Sequence, residues 1–129
     1  MTAIFICGAP EDSGFALLLK NCLSKTYRIT YVKNSSLSQW GKGYELLAIE
    51  LPRFETVETE SPVFLLKKSC VPDFPFPDNG TVIAFSENEE QIKALKACPA
   101  HVITCGFGKT DTFSYSSLSD DKVVVSLNR

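Results

Sequence analysis

At 129 residues the chain lies in the ordinary size range of one domain and can bury a core without disulfides or a structural metal. Thirteen Lys and Arg against fifteen Asp and Glu leave a net charge of −2, which excludes the clustered basic surface that nucleic acid or an anionic membrane requires. Five cysteines, an odd number with three of them inside apolar runs, point to a reducing compartment. With neither a basic leader nor an apolar run of membrane-spanning length at the N-terminus, a cytoplasmic protein is expected.

Ala3 to Cys7 is an unbroken apolar run closed by Gly8-Ala-Pro-Glu-Asp-Ser-Gly14, which reads as a buried strand and a tight turn. The period then changes: Phe15, Leu18, Leu19, Cys22 and Leu23 form a helical stripe, with Asp12 or Ser13 placed to cap its start. Tyr27 to Val32 alternates as a second strand, and Lys33 to Gly43, rich in Ser, Asn and Gly, reads as a loop with Trp40 as a lid over the core edge. The positive charges Lys20, Lys25, Arg28, Lys33 and Lys42 are spaced out as on a solvated face.

Tyr44 to Leu51 is a third strand stopped by Pro52, and the acidic stretch Glu55 to Glu60 a solvated connection or short helix. Pro62 to Leu66 is a fourth strand. Three prolines between Val71 and Pro77 forbid helix and ladder, so that segment should run extended with Phe74 and Phe76 tucked in. Thr81 to Phe85 is a fifth strand, and Ser86 with Glu89 forms a capping box for a helix from about Glu87 to Lys96, ended by Pro99. His101 to Cys105 is the last strand of this series, and Thr112 to Leu118 with Lys122 to Leu127 reads as a hairpin. Strands alternating with helices call for an α/β fold: one domain with a mostly parallel, Rossmann-like or P-loop-like sheet flanked by helices, plus a C-terminal antiparallel hairpin.

Open parallel sheets bind ligands beyond the carboxyl ends of their strands, so candidate site residues are sought there. Gly8, Asp12, Ser13 and Gly14 form a glycine loop before a helix, but Phe15 and Ala16 stand where a phosphate loop needs Lys and Ser or Thr, and Glu11 and Asp12 put negative charge where phosphate would sit. A capped turn is the plainer reading. Glu50 ends the third strand, where carboxylates from neighbouring parallel strands could share a magnesium ion or accept a phosphoryl group. That spacing also resembles response-regulator receiver domains, with Lys109 standing for their lysine, although Glu50 replaces the aspartate that such domains phosphorylate. Cys98, His101 and Cys105 are soft ligands without an evident fourth member, and the single His has no identifiable acidic partner for a nucleophilic triad.

Four segments resemble, in order, landmarks of the central domain of the Mur ligases, the ATP-dependent amide ligases of peptidoglycan synthesis. They are the strand before Gly8, Tyr44-Glu-Leu-Leu-Ala-Ile-Glu50, Thr81-Val-Ile-Ala-Phe-Ser with the acidic residues after it, and His101-Val-Ile-Thr-Cys-Gly-Phe-Gly with its hairpin. The resemblance implies that Glu50 matches a magnesium-binding glutamate and that Asn88, Glu89 and Glu90 loosely match a nucleotide motif. It also implies a bacterial cytoplasmic origin. The family's phosphate-loop lysine is missing, Lys67-Lys68-Ser-Cys replaces its Asp-His motif, and neither flanking domain has room. The resemblance therefore implies the fold in shortened form with a degenerate P-loop, and argues against the activity.

The expected function is a non-catalytic binding or regulatory module, with a receiver-like signalling domain or a small-molecule enzyme as alternatives. Gly8, Asp12, Ser13, Gly14, Glu50, Asn88, Gly106 and Lys109 are the expected ligand-contacting residues; no catalytic residue, metal ligand or cofactor is assigned. The expected partner is a protein or small molecule. The edge of the terminal hairpin further suggests a homodimer.

Overall fold

The structure is a computed structural model that describes residues 2–106, 113–119 and 122–127. Its strands are β1 (Thr2–Cys7), β2 (Tyr27–Lys33), β3 (Ser36–Trp40), β4 (Tyr44–Leu51), β5 (Val63–Leu66), β6 (Thr81–Phe85), β7 (His101–Gly106), β8 (Phe113–Ser119) and β9 (Lys122–Leu127). They form one nine-stranded sheet in the order β3-β2-β4-β1-β5-β6-β7-β8-β9. From β2 to β8 neighbours run parallel, while β2 with β3 and β8 with β9 are antiparallel hairpins.

The expectation of a helix-flanked Rossmann-like α/β fold is corrected by the helices. Among the described residues there are two, α1 (Gly14–Leu23) and α2 (Glu89–Ala94), ten and six residues long. A parallel pair needs a long crossover, but the chain builds two of its crossovers without a helix, and its prolines explain why. Pro52 leads into an irregular acidic stretch, and Pro72, Pro75 and Pro77 remove amide donors and fix an extended backbone. The result is a strand-dominated molecule in which aromatic side chains do the covering that helices would otherwise do.

Each face has its own cover. On one, α1 lays Leu19 over Ile4, Ile6, Ile29, Tyr31, Leu46, Ala48 and Leu65. On the other, Phe54, Phe74 and Phe76 from the irregular crossovers and Leu95 from beyond α2 pack on Phe5, Phe64, Val82 and Ala84. Phe5, Phe54, Phe64, Phe74 and Phe76 are linked edge-to-face, stacked or tilted, with ring centroids 5.0 to 6.4 Å apart. Such pairs add roughly 0.5–1.5 kcal/mol each beyond area burial.

Two local expectations are also corrected. Lys33 to Gly43 is not wholly loop: Asn34, in the left-handed region at φ 54, turns the chain back so that β3 pairs with β2. Trp40 belongs to that strand and stacks on Tyr31 with centroids 4.9 Å apart. The second helix spans 89–94, shorter than the expected 87–96, and its N-cap is Asn88, whose Oδ1 accepts from the Gln91 amide at 3.1 Å.

Candidate functional site

The carboxyl ends of β2, β4, β1 and β5 converge on Glu50. In register, Lys33 on β2 stands opposite Glu50 on β4, and Glu50 stands opposite Ile6 on β1. Lys67 follows β5 directly and is anchored there by its amide, which donates to the Cys7 carbonyl at 2.9 Å. To reach Glu50 it must cross the end of β1, and it does so over Gly8. A Cβ built on Gly8 would lie 2.8 Å from the Lys67 Cβ and 2.9 Å from its Cδ, and Gly8 has φ +141. Glycine is required here both by the close approach and by the backbone.

The Glu50 carboxylate is fully engaged. Tyr31 donates its hydroxyl to Oε1 at 2.7 Å, while Lys33 and Lys67 approach Oε2 at 2.9 and 3.1 Å. The Glu50 and Lys67 side chains are 2% and 0% exposed, which makes this a buried charge cluster. Burial alone would raise the Glu50 pKa, but hydrogen bonds from Lys33, Tyr31 and Lys67 outweigh it and hold the carboxyl below its usual range. Tyr31 moves the other way: burial, then its bond to the Glu50 charge, pushes its phenol up.

Both lysines also donate to the turn after β1. Lys33 Nζ reaches the Pro10 carbonyl at 2.5 Å, and Lys67 Nζ donates to the Ala9 carbonyl. The turn thus points carbonyls, not amides, at the strand ends, the reverse of a phosphate cradle. Its amides are used nearby: Gly8 donates to Leu51, and Asp12 donates to Ala9.

A second polar cluster ties the turn after β5 to α2. Gln91, fully buried, donates through Nε2 to the carbonyls of Lys67 at 3.0 Å and Cys70 at 2.6 Å, and accepts from the Phe85 amide at 2.7 Å. Asn88 donates to the Lys68 carbonyl at 2.9 Å, and Lys68 pairs with Glu87 at 2.9 Å. Between this cluster and the β1–α1 turn lies an open groove of about 660 Å³, lined by Asp12, Lys68, Ser69, Glu87, Asn88, Glu89 and Glu90. A smaller hollow of about 250 Å³ shares Asp12 and Lys68 with it and adds Gly14, Phe15, Leu18 and Phe85.

The expected site residues therefore separate. Asp12 and Asn88 line the groove and Gly14 the smaller hollow. Gly8 and Glu50 belong to the buried charge cluster. Ser13 occupies the cap position of α1 without a side-chain cap bond, and Asp12 Oδ1 instead accepts from the Gly14 amide at 3.1 Å. Gly106 ends β7 opposite Ser114, and Lys109 lies outside the described residues. The magnesium reading of Glu50 does not fit this donor set, because two ammonium groups already hold the carboxylate oxygen that a divalent ion would use.

His101 is exposed at the start of β7, and among the described residues no three His, Cys, Asp or Glu side chains are grouped as metal ligands. The thiols of Cys7 and Cys70 are both pushed up by burial first, with each other's proximity adding at Cys7 and the Asp73 charge at Cys70, so they pack as small hydrophobes. Among the described residues no helix is long and apolar enough to cross a membrane.

Lys33, Lys67 and Gln91 escaped the sequence reading. A signal existed for the first alone: β2 and β4 pair in parallel and end in Lys33 and Glu50, opposite charges that the register sets side by side, whereas β1 lies between Glu50 and the strand that leads to Lys67. No family model matches this chain, and no curated protein matches it.

Proposed function

We propose that the chain is a non-catalytic binding or regulatory module that meets its ligand or partner at the groove between the β1–α1 turn and the start of α2. The observation that supports this reading is the state of Glu50. A general base or metal ligand needs a free lone pair facing substrate, whereas both Glu50 oxygens accept bonds from Tyr31, Lys33 and Lys67. The charged groups at the strand ends are spent on holding the crossovers together, and the groove beside them offers polar contacts without an activated nucleophile.

The test is incubation of the pure protein with ATP and magnesium, monitored for phosphate release. The expected result is no release above the blank for the parent chain or Glu50→Ala. Robust hydrolysis by the parent chain that disappears in Glu50→Ala would overturn the reading.

A further inference from the structure

Strand β3 forms one end of the sheet, and among the described residues no strand lies beyond it. Protein edges of this kind are ordinarily blunted by charged side chains, proline, a bulge or a covering segment. Ser36-Leu-Ser-Gln-Trp40 has no charged residue and no proline, and its pairing with β2 runs without a register shift. The connection Asn34-Ser35 is two residues long, so Lys33 and Ser36 close the ladder as a hydrogen-bonded pair, followed by Tyr31 with Ser38 and Ile29 with Trp40. The amides and carbonyls of the residues between, Leu37 and Gln39, consequently point outward from the sheet.

Apolar side chains flank this edge on both faces. Leu37 is 66% exposed and shares a row with Val32 and Ile49 on the face away from α1. On the α1 face, a hollow of about 310 Å³ between α1 and β3 is lined by Ser13, Ala16, Leu17, Lys20, Tyr31 and Trp40; Leu17 is 59% exposed, and the Lys20 ammonium lies over the Trp40 ring.

We infer that β3 is a self-association edge whose occupant is the same strand of a second copy, antiparallel across a two-fold axis at Ser38. The argument for a copy of this chain is self-complementarity. With Ser38 opposite its symmetry mate, Leu37 faces Gln39 of the partner and Gln39 faces Leu37 of the partner, so all four outward-pointing residues exchange hydrogen bonds in matching register. No charge of the strand is set against its own copy. The two Leu37 side chains become diagonal neighbours on one face, within reach of each other. Pairing through this edge closes at two, whereas joining β3 to the opposite end of another sheet would propagate without limit.

Sedimentation equilibrium of the full chain over a range of concentrations tests the inference together with site-directed cross-linking. A reversible dimer is expected, and Leu37→Lys, which places like charges diagonally across the axis, should raise its dissociation constant about ten-fold or more. Leu37 is exposed, so this variant should keep the parent's near-ultraviolet dichroism. In a Cys22→Ser background, Ser38→Cys should give a disulfide-linked dimer with oxidised glutathione, because the pair on the axis is of the close, non-hydrogen-bonded type with Cα atoms about 4.5 Å apart. Ser36→Cys, facing Trp40 of the partner, should not. A monomer at every concentration would overturn the inference. So would a dimer of unchanged affinity in Leu37→Lys that fails to cross-link through position 38.

Discussion

Glu50 carries a charge out of reach of solvent, and its three donors make that tolerable. Born-type desolvation costs several kcal/mol per buried ion, and the pair is stable only while every lone pair is answered. Glu50→Gln keeps the shape but leaves the Lys33 and Lys67 ammonium groups facing a neutral amide, and should cost about 3–5 kcal/mol in chemical denaturation. The same residue sets an acid limb. Its folded pKa lies below the unfolded value of about 4.3, so its contribution is complete above that value and is lost as pH falls through the folded pKa. Stability of the parent should therefore drop below about pH 4 more steeply than that of Glu50→Gln. Equal slopes for the two proteins would show that the carboxylate is not held as described.

At the scale of elements, α2 shows how a short helix earns its place by a side chain. Six residues are too few to be stable alone, and its apolar contacts are modest. Gln91 supplies the rest by bonding the turn after β5 at two carbonyls and the end of β6 at one amide, all in the interior. Gln91→Leu would bury an apolar group of similar size but strand the Cys70 carbonyl and the Phe85 amide at about 1–3 kcal/mol each, while the Lys67 carbonyl keeps its bond from the Cys70 amide, so a loss of at least ~2 kcal/mol is expected on thermal unfolding. A near-neutral result would mean that water replaces the amide. This element also marks where sequence reading stopped. A capping pattern at Ser86 and Glu89 was legible, but Asn88 competes for the same role and wins because its amide also reaches the Lys68 carbonyl, a contact across 20 residues. Strands β1, β4, β5, β6 and β7 were legible from apolar runs bounded by Gly and Pro. β3 was not, because Ser, Gln and a single exposed Leu give an edge strand almost no hydrophobic period. Of the charge cluster, Glu50 was visible at a strand end, while Lys67 reaches it only because Gly8 lets a side chain pass over β1.

For the whole molecule, the two covers matter more than their sizes, because they are offset. The α1 face is buried over β2, β4, β1 and β5, and the opposite face over β1, β5 and β6, so among the described residues only β1 and β5 contribute buried side chains to both clusters. Beyond that overlap β2, β4 and β6 are sealed on one side alone: Ile83, with Cys105 beside it on β7, stays partly open on the α1 face, as do Val32 and Leu47 on the other. Local opening costs least where the fewest apolar contacts break, which sets the doubly sealed β1 and β5 apart from the singly sealed β2, β4 and β6 around them. Amide exchange followed at increasing denaturant should report this division. The amides of Ile4, Phe5 and Ile6 should exchange only by global unfolding, with a denaturant dependence equal to the equilibrium value. Those of Ile83 and Ile103 should reach exchange through a smaller opening with a shallower dependence. If β1 and β7 amides followed one common line, the sheet would open as a unit and the offset covers would be of no energetic consequence.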